Sequence, residues 1–119
     1  MAEHFKLPVY KAAIDLEKQF VLSTQKTPRR IKYTMVDSIY KSILQIPIYI
    51  AFANDYGAER AQWVDKAVRT MQDVKIHLRV MLDVRAINEH QYSVIMEKQE
   101  NLSRQLNGWQ KSLVKREKD

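Results

Sequence analysis

Apolar residues along the chain recur at three- and four-residue steps in four blocks, and each block predicts an amphipathic helix. The first runs from Pro8 to about Gln25. Proline suits the first helical turn, where its missing N–H is not needed. Tyr10, Ala13, Ile14, Phe20 and Val21 share one arc, with Glu17 near its middle. Thr27-Pro28 ends it, because the residue before a proline is pushed out of the α region. The second block spans about 34–54, with Thr34 as N-cap and Asp37 three residues on, a start resembling a capping box. Val36, Ile39, Ile43, Ile46 and Ile50 form its apolar ladder. Pro47 lies inside it and predicts a kink, or a break into two helices.

Asn54-Asp-Tyr-Gly57 reads as a turn. The third block spans about 58–85, its face built from Val64, Ala67, Val68, Met71, Val74, Leu78, Met81 and Leu82. Asn88 with Gln91 three residues later predicts a capping box opening the fourth helix, about 89–115. Tyr92, Ile95, Leu102, Leu106, Trp109 and Leu113 keep their phase on both sides of Gly108, so this helix is expected to pass through the glycine. A helical glycine costs about 1 kcal/mol relative to alanine. Close approach of a neighbouring helix, with Trp109 filling the space beside it, would account for Gly108. The five residues from Lys115 are expected to fray.

Four helices with short links imply an all-α fold: an antiparallel up-down-up-down four-helix bundle, one domain over 1–119. Two glycines and three prolines in 119 residues leave little room for hairpins. Without cysteine there is no disulfide framework or thiolate metal site. The longest apolar run, 43–53, is too short to span a bilayer, and the N-terminus lacks a signal-peptide core. A soluble, cytoplasmic protein is expected.

Some apolar residues exceed what a monomeric bundle needs. Leu44, Ile48 and Phe52 form a second row on helix 2, and Ile76 and Val80 lie opposite Met71 and Leu78 on helix 3. They predict an oligomer interface; the competing account is that the Pro47 kink turns the first row inward. Glu17 and Lys75 fall inside apolar arcs, as an ion pair across helices 1 and 3 or as side chains whose charged ends snorkel to water.

Chemistry is sparse. His4, His77 and His90 form no ligand pair, and no glycine-rich phosphate loop or nucleophile motif occurs. No enzyme, metal or cofactor is expected. The net charge of +6 favours an acidic partner, nucleic acid first. Arg29, Arg30 and Lys32 crowd one link, Arg79 and Arg85 sit on helix 3, and Arg104, Lys111, Lys115 and Lys118 form a stripe on helix 4. The ordinary alternatives are a solvated loop and cations complementing a helix C-terminus. No aromatic platform is expected among these charges, and Trp109 is assigned to the core.

Four stretches resemble a known family: Leu-Pro-Val-Tyr-Lys at 7–11, Thr-Pro-Arg-Arg-Ile-Lys-Tyr-Thr at 27–34, His-Leu-Arg-Val-Met-Leu-Asp-Val-Arg at 77–85, and Leu-Ser-Arg-Gln-Leu-Asn-Gly-Trp-Gln-Lys-Ser at 102–112. They are similar to the accessory variability determinant of diversity-generating retroelements. The wider set is the four-helix-bundle proteins encoded in ribosomal RNA intervening sequences. The resemblance implies a non-catalytic homopentamer with a basic surface. It would bind the element's reverse transcriptase and template RNA, or DNA or an RNA–DNA hybrid, and support mutagenic cDNA synthesis. It points to Arg29, Arg30, Lys32, Arg79, Arg85, Arg104 and Lys111, of which Arg79 and Arg104 stand in clear motif context. Met35-Val36 replaces a common Leu-Gly, and Leu102-Ser103-Arg104 replaces Ile-Gly-Arg.

Overall fold

The computed structural model describes residues 3–118, the side chains of 117 and 118 excepted. The side chain of Lys118 and all of Asp119 therefore lie outside the described residues. Among those described there are four long helices and no strand. Their extents are 49 × 24 × 21 Å.

A short 3-10 turn, His4–Lys6, leads into α1 (Pro8–Thr24). Ala12, Ala13, Leu16, Phe20, Ser23 and Thr24 face inward at helical spacing. Val21 does not join them: it is 39% exposed, because one residue past Phe20 turns it about 100° from that side chain and out of the buried arc.

The second helix starts earlier than Thr34. After Pro28 the chain makes one helical turn, Arg29–Ile31, then a π-helical segment, Lys32–Val36, and then α2 (Asp37–Asp55). In the π segment the hydrogen-bond ladder widens by one residue, and the Asp37 N–H reaches the Lys32 carbonyl. Thr34 is no cap. Its hydroxyl donates back to the carbonyls of Arg30 (3.1 Å) and Ile31 (3.3 Å), the back-bonding of a threonine inside a helix. Pro47 does not break α2. The helix runs through it, and Pro47 is packed inside with Ile39, Ile43, Ile46 and Ile50.

A 3-10 turn, Gly57–Glu59, opens α3 (Arg60–Asp83). Arg60 reaches back to close α2: its Nε donates to the Ala53 carbonyl at 2.8 Å and its Nη2 to that of Asn54 at 3.2 Å. At the other end, the Arg85 N–H bonds the Leu82 carbonyl (3.0 Å) and the Ala86 N–H bonds that of Met81 (2.8 Å). This paired pattern is a Schellman motif, with Arg85 at the left-handed position, φ 62°.

The capping box forms at α4 (Glu89–Lys118): Asn88 N–H donates to Gln91 Oε1 at 2.9 Å, and Gln91 N–H to Asn88 Oδ1 at 2.8 Å. Ile95, Leu102 and Leu106 are fully buried, with Trp109 and Leu113 packed against them. Gln99 is buried in the same row, a polar residue the periodicity did not single out. It donates to Ser103 Oγ at 2.9 Å. The helix does pass through Gly108, but close packing is not the reason. Gly108 is exposed, and a Cβ added there would meet nothing within 4 Å. The helix extends to Lys118.

Each helix packs on the next, and α4 returns to α1. Lys75 is exposed on α3 and Glu17 lies in a shallow hollow between α1 and α2, so they make no ion pair. Desolvation raises the Glu17 pKa.

Candidate nucleic-acid interface

The link between α1 and α2 is basic from the sequence alone. Residues 26–32 hold Lys26, Arg29, Arg30 and Lys32 and no carboxylate. Folding adds a fifth cation. The Thr27 hydroxyl is buried and donates to the Ala86 carbonyl at 3.1 Å, tying this link to the one between α3 and α4. Arg85, next to Ala86, is thereby brought to the end of the bundle that holds Arg29 and Arg30. Among the described residues, none of these three arginines has a carboxylate within ion-pair distance. Lys32 is partly occupied, with its Nζ 3.4 Å from the Gln25 carbonyl at the end of α1.

The same end carries an aromatic. Tyr33 is 69% exposed, and the Arg29 guanidinium lies 5.8 Å from its ring centroid. The expectation that no aromatic stands among the cations is therefore corrected. Tyr33 lay beside them in Arg29-Arg-Ile-Lys-Tyr, but reading the helix as beginning at Thr34 hid it in a loop. The π segment holds its backbone in helical register next to Arg29. Exposed Leu22 and Val84 lie at the adjoining ends of α1 and α3.

Two unusual backbone features meet at this end: the π segment at Lys32–Val36 and the positive φ of Arg85. π turns cluster at functional sites. A long side chain held where glycine fits better signals a residue retained for what its side chain does.

The other predicted cations are placed elsewhere. Arg79 is exposed but paired with Asp83, Nε to Oδ1 at 3.3 Å. Arg104 lines a polar hollow of about 420 Å³ between α3 and α4, together with Lys75. Lys111 and Lys115 are exposed further along α4. The predicted interface residues also separate. Leu44, Phe52 and Val80 are half-buried, and Phe52 sits edge-on to Trp63 with ring centroids 5.0 Å apart. Ile48 is 42% exposed, in the hollow beside Tyr10 and Ile14 of α1. Ile76 is 63% exposed on α3, about 200° around that helix from Val74 and Leu78.

Among the described residues, no group of three or more histidine, aspartate or glutamate side chains is placed to hold a metal ion. No helix among them is long and apolar enough to cross a membrane.

The family model for the 23S rRNA-intervening sequence protein matches residues 5–108. The chain belongs to this family. The match includes the basic end, Tyr33, Arg79, Arg85 and Arg104, and stops at Gly108, so Lys111 and Lys115 fall beyond it. It corresponds to the wider set that the sequence resembles. None of the curated proteins matches the chain.

Proposed function

We propose that this member of the intervening-sequence family is a non-catalytic RNA-binding accessory protein. The observation that carries the reading is the basic end. Among the described residues, Arg29, Arg30 and Arg85 have no carboxylate within ion-pair distance, and exposed Tyr33 stands beside them. Cations neutralise phosphates without regard to sequence, and an exposed ring accepts an unstacked base. Single-stranded RNA satisfies both.

The resemblance to the retroelement accessory proteins supplies the partner, a reverse transcriptase whose template RNA the protein would hold during cDNA synthesis. The bundle follows an antiparallel up-down-up-down course: Thr27 meets Ala86 at one end, and His4 lies 3.2 Å from Asp55 at the other. A homo-oligomer, a pentamer by the same resemblance, would multiply the +6 of one chain and steepen the salt dependence. A second reading rests on the family match itself: a bundle that serves as an interaction module and has no polymerase partner.

Fluorescence anisotropy with a labelled single-stranded RNA, across a salt series, tests the RNA-binding claim. Reversing Arg29, Arg30 and Arg85 to Glu should abolish most binding. Replacing them with Gln should lower the log–log salt slope by about 2, at roughly 0.7 per lost phosphate contact. Unchanged affinity and slope refute the site. Co-purification with a reverse transcriptase encoded beside the gene separates the two readings. Failure to co-purify, or the absence of such a gene, favours the interaction module.

A further inference from the structure

Gly108 lies in the interior of a 30-residue helix, yet among the described residues nothing needs it to be glycine. It is exposed, and an added Cβ would meet no atom within 4 Å. Alanine there would favour the helix. A bare helical backbone with no close neighbour inside the chain is suited to a neighbour from outside it.

The surroundings fix the chemistry of that neighbour. From Asn101 to Arg116 the helix carries Arg104, Lys111, Lys115 and Arg116 and no carboxylate. At about 100° per residue, Arg104, Lys111 and Lys115 all fall within about 60° of Gly108 on the helix circumference. All three are exposed and, among the described residues, none is in an ion pair. Lys75 of α3 shares the hollow of Arg104 and Asn107, next to the glycine, and one carboxylate, Glu100, lines it as well. Glycine therefore sits as a bare position on a face where cations from two helices outnumber the single carboxylate, Glu100, of the hollow. A second copy presenting the same face would set like charges against each other. A polyanion with a narrow backbone meets no such repulsion.

We propose that this face of α4 is a second nucleic-acid site, in which the phosphodiester backbone of single-stranded RNA lies across Gly108 between Arg104, Lys111 and Lys115. It rests on the RNA-binding reading above but uses different residues. Gly108 is about 28 Å along α4 from Glu89, at 1.5 Å per residue, so the two sites would be occupied by separate stretches of one strand or by two strands.

The test uses the full chain with Gly108→Ala and Gly108→Leu, read by thermal unfolding, RNA anisotropy and light-scattering mass. Gly108→Ala should melt about 4 °C higher and bind RNA more weakly. Gly108→Leu should lose about tenfold in affinity at unchanged mass, and should do so also in the background carrying Arg29→Glu and Arg30→Glu. The proposal is overturned if Gly108→Leu binds RNA as the parent does. It is equally overturned if Gly108→Ala is no more stable than the parent, since the glycine then has a role within the chain. A changed mass with unchanged RNA affinity identifies another copy as the occupant and overturns it too. A parent protein that binds no RNA removes this site and the basic end together. Affinity that responds to Arg29, Arg30 and Arg85 but not to position 108 removes this site alone.

Discussion

Arg85 offers a direct measurement of what the basic end costs the fold. Its φ of 62° places an L-residue in the left-handed region, at a strain of about 1–2 kcal/mol. Glycine would remove that strain and give back about 0.5–1 kcal/mol through the greater freedom of its unfolded chain. The Arg85 side chain is exposed, so little buried area is lost. Arg85→Gly should therefore stabilise the protein by about 0.5–1 kcal/mol. With an unfolding entropy of about 2.1 cal/mol/K per residue, 119 residues give about 0.25 kcal/mol/K, and a melting shift of about 2–4 °C. Arg85→Ala is the control: it removes the same charge but keeps the strain, and should not stabilise. Circular dichroism melts of parent, Ala and Gly variants at one salt concentration decide it. If Gly and Ala variants melt together, the strain argument is wrong. The RNA assay then separates cost from use, since both variants should bind more weakly whichever way the melting point moves.

Three further outcomes follow from the same contacts. Thr27→Val removes the buried bond to the Ala86 carbonyl; it should cost about 1–2 kcal/mol in urea unfolding and weaken RNA binding by loosening Arg85 from Arg29 and Arg30. Asn88→Ala takes the acceptor from the Gln91 N–H and should cost about 1 kcal/mol, which a denaturant midpoint will register without a change in m. Glu17 has its pKa raised by desolvation, so the folded state holds its proton more tightly than the unfolded chain. Stability from this group is present at low pH and is lost as pH rises through the folded pKa. Glu17→Gln should be more stable than the parent at pH 7, with the gain vanishing below the ordinary glutamate value of 4.5. A gain that persists at acid pH would contradict the desolvation account.

Positions 85 and 108 depart from local preference in opposite directions. The chain keeps an arginine where the helix end suits glycine, and a glycine where the helix interior suits alanine. Local and global preferences agree over most of this bundle, and departures from that agreement are where function is expected to lie. Gly108 was visible in the sequence as a helix glycine inside an unbroken apolar stripe. What it does not do could be learned only from the empty space around its Cβ.

Helical periodicity and the Asn88–Gln91 cap were enough to place four helices and most of the core, because a 3.6-residue repeat must bury one stripe wherever the helices go. The basic run at residues 26–32 and the stripe on α4 were equally legible, being local in the chain. The tertiary structure decided the rest. It showed that Thr34 lies inside a helix, with its hydroxyl turned back to the carbonyls of Arg30 and Ile31. It brought Arg85 to Arg29 and Arg30 through a bond between residues 59 apart in sequence. It separated Glu17 from Lys75 by setting them in hollows between different helix pairs. Sequence spacing fixes which side of its own helix a residue faces; which helix stands opposite is fixed only when all four stripes must close on one core.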